Sequence, residues 1–189
     1  MRIDLARSLR RVRPERFRGG LTRRTDTELA FATGLPPLGT GLLLDTTVYV
    51  DQLEGKFPPA VNALLRRRPV YHLDLVLGEL AHNFGRLDPD HPGTAAVWRE
   101  LRSVIDRVPA RRVQTPSPGV VLEAGILAGL LFRLGNLQPG RETAALVDAT
   151  LYLHAVERGH TVPTRNIRDF DFLDQLVPSG RVAFYRQEV

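Results

Sequence analysis

Short unbroken apolar runs alternate along this chain with longer stretches in which apolar residues recur every three or four positions. The runs in "GLLLD" (41–45), "PVYHLDLVL" (69–77), "RRVQT" (111–115), "TVPT" (161–164) and "RVAFY" (181–185) predict strands. The longer stretches predict helices. They are "PPAVNALLRRR" (58–68), "GELAHNFGRL" (78–87), "TAAVWRELRSVIDRV" (94–108), "PGVVLEAGILAGLLFRLG" (118–135) and "ETAALVDATLYLHAVERG" (142–159). Prolines open two of these stretches and glycines close two, as helix termini favour. Strands alternating with helices imply a mainly parallel sheet covered on both faces.

The first forty residues break this rhythm. "RIDLARSLRRV" predicts one short amphipathic helix with Ile3, Leu5, Leu9 and Val12 as its apolar residues. From there to residue 40, glycine and proline interrupt the chain. The division expected is a basic arm over 1–40 and a compact domain over 41–189. The arm holds nine arginines against four acids, which accounts for the whole net charge of +5. Elsewhere acids and bases balance. Lys56 is the one lysine among 26 basic residues. Arginine pairs bidentately with phosphate, but the same bias also follows from genome composition, so RNA phosphates and a partner protein stay open as contacts of the arm.

Composition narrows the chemistry. The 189 residues contain no cysteine, so disulfides, thiolate metal sites and cysteine nucleophiles are excluded. A cytoplasmic setting is expected, with no signal peptide and no membrane span. "GVVLEAGILAGLLF" (119–132) is too short to cross a bilayer and carries Glu123, so it predicts a buried helix. The histidines at 72, 82, 91, 154 and 160 lack zinc-ligand spacing, and the "RRR" at 66–68 is expected to be a solvated face. Trp98 is expected to pack in a core.

Four acids stand where chemistry gathers. Asp45 ends the first apolar run, and ligands of open parallel sheets collect beyond strand carboxyl ends. It serves equally well as a helix cap. Glu79 is read as the first acid of a helix entered from an apolar run, a place acids occupy for dipole reasons alone. Asp148 lies among Ala145, Leu151, Tyr152 and Ala155 on a helix apolar nearly all round, so it is expected to be buried. There it needs a cation, whether arginine or metal. Asp169 follows a strand, with Asp171 and Asp174 behind it in what reads as an acidic loop. Converging carboxylates repel one another and demand divalent cations; hard oxygen ligands select Mg2+ or Mn2+.

In this order, "LLLDTTVYVDQL", "LVLGELAHNFGRL" and "ALVDATLYLHAVERGHTVPTRNIRDF" resemble the PIN-domain nucleases, especially VapC-type toxins of toxin–antitoxin pairs. The similarity covers roughly 41–187. It implies a three-layer α/β/α sandwich around a mainly parallel sheet and Mg2+- or Mn2+-dependent endoribonuclease activity. By the same resemblance, Asp45, Glu79, Asp148 and Asp169 are the catalytic acids, and Asp45, Asp148 and Asp169 hold the metal. Thr46, Thr164, Asn166 and Asp171 support them. The resemblance further implies an RNA substrate such as transfer RNA, a cognate antitoxin and a homodimer. Arg10, Arg11, Arg13 and Arg165 are the candidate phosphate contacts. The competing expectation is a catalytically silent PIN-like module that docks RNA or a partner through its arm. A DNA-directed nuclease of the same fold is a third.

Overall fold

The computed structural model describes residues 4–187. Arg2 and Ile3, counted above in the arm, lie outside them.

Five short strands are all parallel. β1 (Leu42–Leu43) pairs with β2 (Val70–Leu73), and β2 with β3 (Val113–Gln114). β4 (Val162–Thr164) pairs with β5 (Val182–Phe184). A single bridge joins the two sheets: Leu43 N–H donates to Thr161 O at 3.0 Å and Thr161 N–H to Gly41 O at 2.8 Å. The spatial order is therefore 3-2-1-4-5. The first strands step one way and the last two step the other, so the direction reverses between β1 and β4. That reversal opens a crevice beyond the carboxyl ends of the two strands.

The helices follow the same division. α2 (Thr46–Leu53), α3 (Pro59–Arg67), α4 (Asp74–Arg86) and α5 (Thr94–Ile105) lie within the connections that lead from β1 to β2 to β3. α6 (Pro118–Gly135), α7 (Glu142–Arg158) and α8 (Ile167–Leu176) belong to the connections that lead back through β4 to β5 and pack on one another. Right-handed crossovers place the two sets on opposite faces. The result is an α/β/α sandwich whose core includes Leu42, Leu43, Leu127, Leu131, Leu151 and Phe170, all fully buried.

Several boundaries differ from expectation. α4 begins at Asp74 rather than at Gly78, because Val70–Leu73 exhausts the strand and Asp74 starts the first turn. Asp74 is thus the first acid of that helix, and Glu79 sits in its second turn. α6 runs to 18 residues and is long and apolar enough to cross a membrane by length and composition. Here it packs on α1 (Leu5–Val12), α7 and α8, with Glu123 buried. Trp98 is half-buried and stacks on Phe84, at the margin of the core rather than inside it.

The residues before β1 run across the domain. α1 forms as expected, but Leu5 and Leu9 point outward while Ser8 and Val12 meet α6. The backbone then follows α6 to its end, where Leu21 N–H donates to Leu134 O at 2.7 Å. Arg24 crosses to α8, giving its backbone N–H and Nε to Asp171 at 2.9 and 2.6 Å and its Nη2 to Asp174 at 2.8 Å. Phe31 pairs with Phe184 at the edge of β5, covering that edge. Arg68 is buried and donates to the carbonyls of Pro36 and Pro37, so the expected solvated "RRR" face loses its last member to packing.

Candidate active site

The four acids arrive at the crevice from four elements. Asp45 follows β1 and occupies the N-cap position of α2, with extended backbone angles, yet its carboxylate makes no capping bond. It is buried and turned toward β4 instead. Thr164 Oγ1 donates to its Oδ2 at 2.6 Å and Thr47 Oγ1 at 2.5 Å. The same Thr164 hydroxyl accepts from Asn166 N–H at 2.9 Å, so the carboxyl ends of β1 and β4 are tied by side chains.

Asn166 is the hinge of the other half. Its Oδ1 caps α8 by accepting from Asp169 N–H, and its Nδ2 donates to Asp148 Oδ2 at 3.0 Å and to Asp169 Oδ2 at 3.1 Å. Asp169 is buried in the first turn of α8, where the helix dipole favours a negative charge. Glu79 reaches in from α4 and accepts from Thr46 Oγ1. Among the described residues one cation contacts this set: Arg141 Nη2 lies 3.3 Å from Asp169 Oδ2.

The electrostatics are strained. Burial pushes the Asp45 carboxyl above its usual value; the Thr164 and Thr47 bonds oppose this and the Glu79 charge adds to it. Asp148 is held well above the carboxylate range, first by burial of its carboxyl and then by the charges of Asp45, Asp169 and Glu79. Arg141 offsets only part of that. As a whole residue Asp148 is half-buried, not enclosed as its helix pattern predicts, because its carboxyl faces the crevice.

A pH effect follows. A group that binds its proton more tightly folded than unfolded costs stability as pH rises past its unfolded value. For Asp148 that window opens above 3.8. Burial lowers His72, His154 and His160, whose effect on stability runs the opposite way. The difference between wild type and Asp148→Asn cancels the histidines and reports Asp148 together with the acids coupled to it. In EDTA, the wild type is expected to lose ground against Asp148→Asn in thermal melts as pH rises above 3.8, until the carboxyl has ionised in the folded protein. A constant gap would contradict this origin.

The remaining residues divide. Thr46, Thr164 and Asn166 are in the site. Asp171 is not: it is fully buried against Arg24 and Gln175, because α8 turns its side chain toward the residues before β1. Asp174 is no solvated loop acid either; Arg24, Tyr152 and the N–H groups of Ser179 and Gly180 surround it. Arg165 follows β4 beside Asp45, its backbone N–H on Thr47 Oγ1 and its guanidinium on buried Asp51. Arg10, Arg11 and Arg13 belong to α1 and its cap, and Arg11 pairs with Glu123 at 3.0 Å. The sequence pattern alone does not single out Arg141, Asp51 or Arg24. Arg141 had a signal: it precedes Asp148 by seven positions, two helical turns on one face.

Among the described residues, no three Asp, Glu or His side chains are arranged to hold a metal ion as they stand. Asn166 bonds Asp148 and Asp169, and Arg141 bonds Asp169. The donor chemistry nevertheless fits a hard divalent cation: four carboxylates, two of them pushed toward protonation, against one guanidinium.

No protein-family model matches the sequence, nor does any curated protein. Among solved structures, the chain is similar to VapBC2 from Rickettsia felis bound to a DNA fragment from their promoter. The TM-score is 0.53 and the identity 17%, covering 78% of this chain and 100% of that one. The fold is PIN-like. Similarity also extends to VapBC-1 from nontypeable Haemophilus influenzae, with TM-score 0.42, 15% identity, and 77% and 97% coverage.

Proposed function

We propose that this chain is a metal-dependent endoribonuclease and the toxin of a toxin–antitoxin pair. The observation that carries the reading is the convergence of Asp45, Glu79, Asp148 and Asp169 at the strand-order reversal of a PIN-like sheet, with Asp148 held far toward protonation. A cluster so poorly neutralised costs stability and is hard to account for as packing. Asp45, Asp148 and Asp169 would hold Mg2+ or Mn2+, with Glu79 completing the acidic set. Such an ion supplies Lewis acidity toward a phosphodiester.

The protein's own groups do the rest. Thr164 and Thr47 fix the Asp45 carboxylate, and Asn166 sets the spacing of Asp148 and Asp169. Glu79, bonded through Oε2 to Thr46 and half-exposed, would accept a proton in this reading. RNA, such as transfer RNA, is the proposed substrate, and an antitoxin protein and a second copy of the chain are the proposed partners. Parallel digests of RNA and single-stranded DNA provide the test. RNA cleavage is expected with Mg2+ or Mn2+ and none with EDTA. Cleavage confined to DNA would replace the substrate, and RNA cleavage undiminished by EDTA would remove the metal.

A further inference from the structure

We propose that Arg141 is a resident cation of the acidic site: it holds Asp169 until a divalent ion takes that carboxylate, and is thereby released to receive substrate phosphate. The inference rests on the metal site proposed above.

The placement of Arg141 calls for an explanation. It stands at the N-cap position of α7, just after Gly140, whose φ is 87°. A cation at a helix N-terminus meets the positive end of the dipole, so the helix gives it no reason to be there. It makes no capping bond. What holds it is Asp169, through one contact of 3.3 Å, longer than a charge-assisted bond normally runs. The side chain is 52% exposed. Ion pairs of that kind are weak.

Two other arginines, Arg165 beside the site and Arg24 on the far side of α8, behave differently. Arg165 grips Asp51 through Nε and Nη2 at 3.2 and 3.1 Å. Arg24 grips Asp171 through Nε and its backbone N–H. Both acceptors are completely buried and neither belongs to the acidic set. These arginines are fastened by carboxylates that a metal would not recruit. Arg141 alone of the three is held by a member of the set.

The acceptor is also prepared for its loss. Asn166 Nδ2 donates to the same Asp169 oxygen, so that carboxylate keeps a partner when the guanidinium leaves. A divalent ion and Arg141 therefore compete for one charge. The freed guanidinium, tethered at the start of α7 and already exposed, is suited to a phosphate.

Two measurements on the full chain test this without cleavage. Mn2+ titration calorimetry compares wild type, Arg141→Ala and Asp148→Asn. Fluorescence anisotropy with a 2′-O-methyl RNA oligonucleotide and saturating Mn2+ compares wild type, Arg141→Ala and Arg141→Lys. Arg141→Ala is expected to bind Mn2+ about threefold to tenfold more tightly, since the competing cation is gone. It is expected to bind the oligonucleotide more weakly, with the salt slope reduced by about 0.7, one phosphate contact on a single strand. Arg141→Lys should recover part of that slope. A merely structural arginine would weaken both ligands together, and that result overturns the proposal, as does unchanged Mn2+ affinity in Arg141→Ala. If Asp148→Asn loses Mn2+ while Arg141→Ala gains nothing, the exchange fails and the metal site stands. If Asp148→Asn binds Mn2+ like wild type, the metal site itself fails.

Discussion

Asp148→Asn is expected to reduce Mg2+-dependent RNA cleavage by about a thousandfold or more while leaving the fold intact. A thousandfold corresponds to about 4 kcal/mol of transition-state stabilisation. The substitution keeps the shape and the Asn166 contact region but removes the charge that burial, Asp45, Asp169 and Glu79 all oppose. The same change relieves repulsion, so the metal-free variant should melt no lower than wild type near neutral pH. Loss of activity with gain or retention of stability distinguishes a site acid from a structural one. Cleavage rates within tenfold of wild type, measured on the same RNA, would remove Asp148 from the catalytic set.

Arg24→Ala is expected to destabilise the fold by about 3 kcal/mol, at the lower end of what removing one partner of a buried ion pair costs. It strips Asp171, which is fully buried, of its guanidinium, and takes one donor from Asp174. Asp171 sits on α8, whose first turn carries Asp169, so the loss should be felt at the acidic site as well. Arg10→Ala, an exposed arginine of the same segment, serves as control and should stay within about 0.5 kcal/mol. Urea unfolding of the three proteins decides the matter. A loss below about 1 kcal/mol for Arg24→Ala would mean that the segment before β1 contributes little to holding α8.

That second expectation has no basis in the sequence pattern. Arginine-rich and broken by glycine and proline, residues 1–40 read as an appendage, because their charge and turns are local properties. Their partners are not local: Arg24 meets Asp171 across 147 positions, and Phe31 meets Phe184 at a sheet edge. Asp171 shows the same limit from the other side. Two residues after Asp169 it reads as a supporting acid, but on a helix two positions turn a side chain by roughly 200°, away from the crevice.

The five strands and the helices over α3 to α7 were legible in the sequence, because periodicity acts over a few positions, whereas α8 read as an acidic loop and α4 began one turn earlier than its pattern. Asp45 stood out at a strand end and Asp148 in an apolar helix, while the grouping of Asp45, Glu79, Asp148 and Asp169 with Thr164 and Asn166 came from the resemblance, and their contacts are what the structure adds. Only the tertiary structure decided that Asp45 turns its carboxylate to Thr164 instead of capping its own helix. It also decided that Arg24 is fastened to the domain and that Arg141 is the cation at the acids. Each of these is a choice between partners far apart in the chain. The choice is set by which strands lie side by side, and here β1, flanked by β2 and by the start of β4, brings the four acids to one crevice.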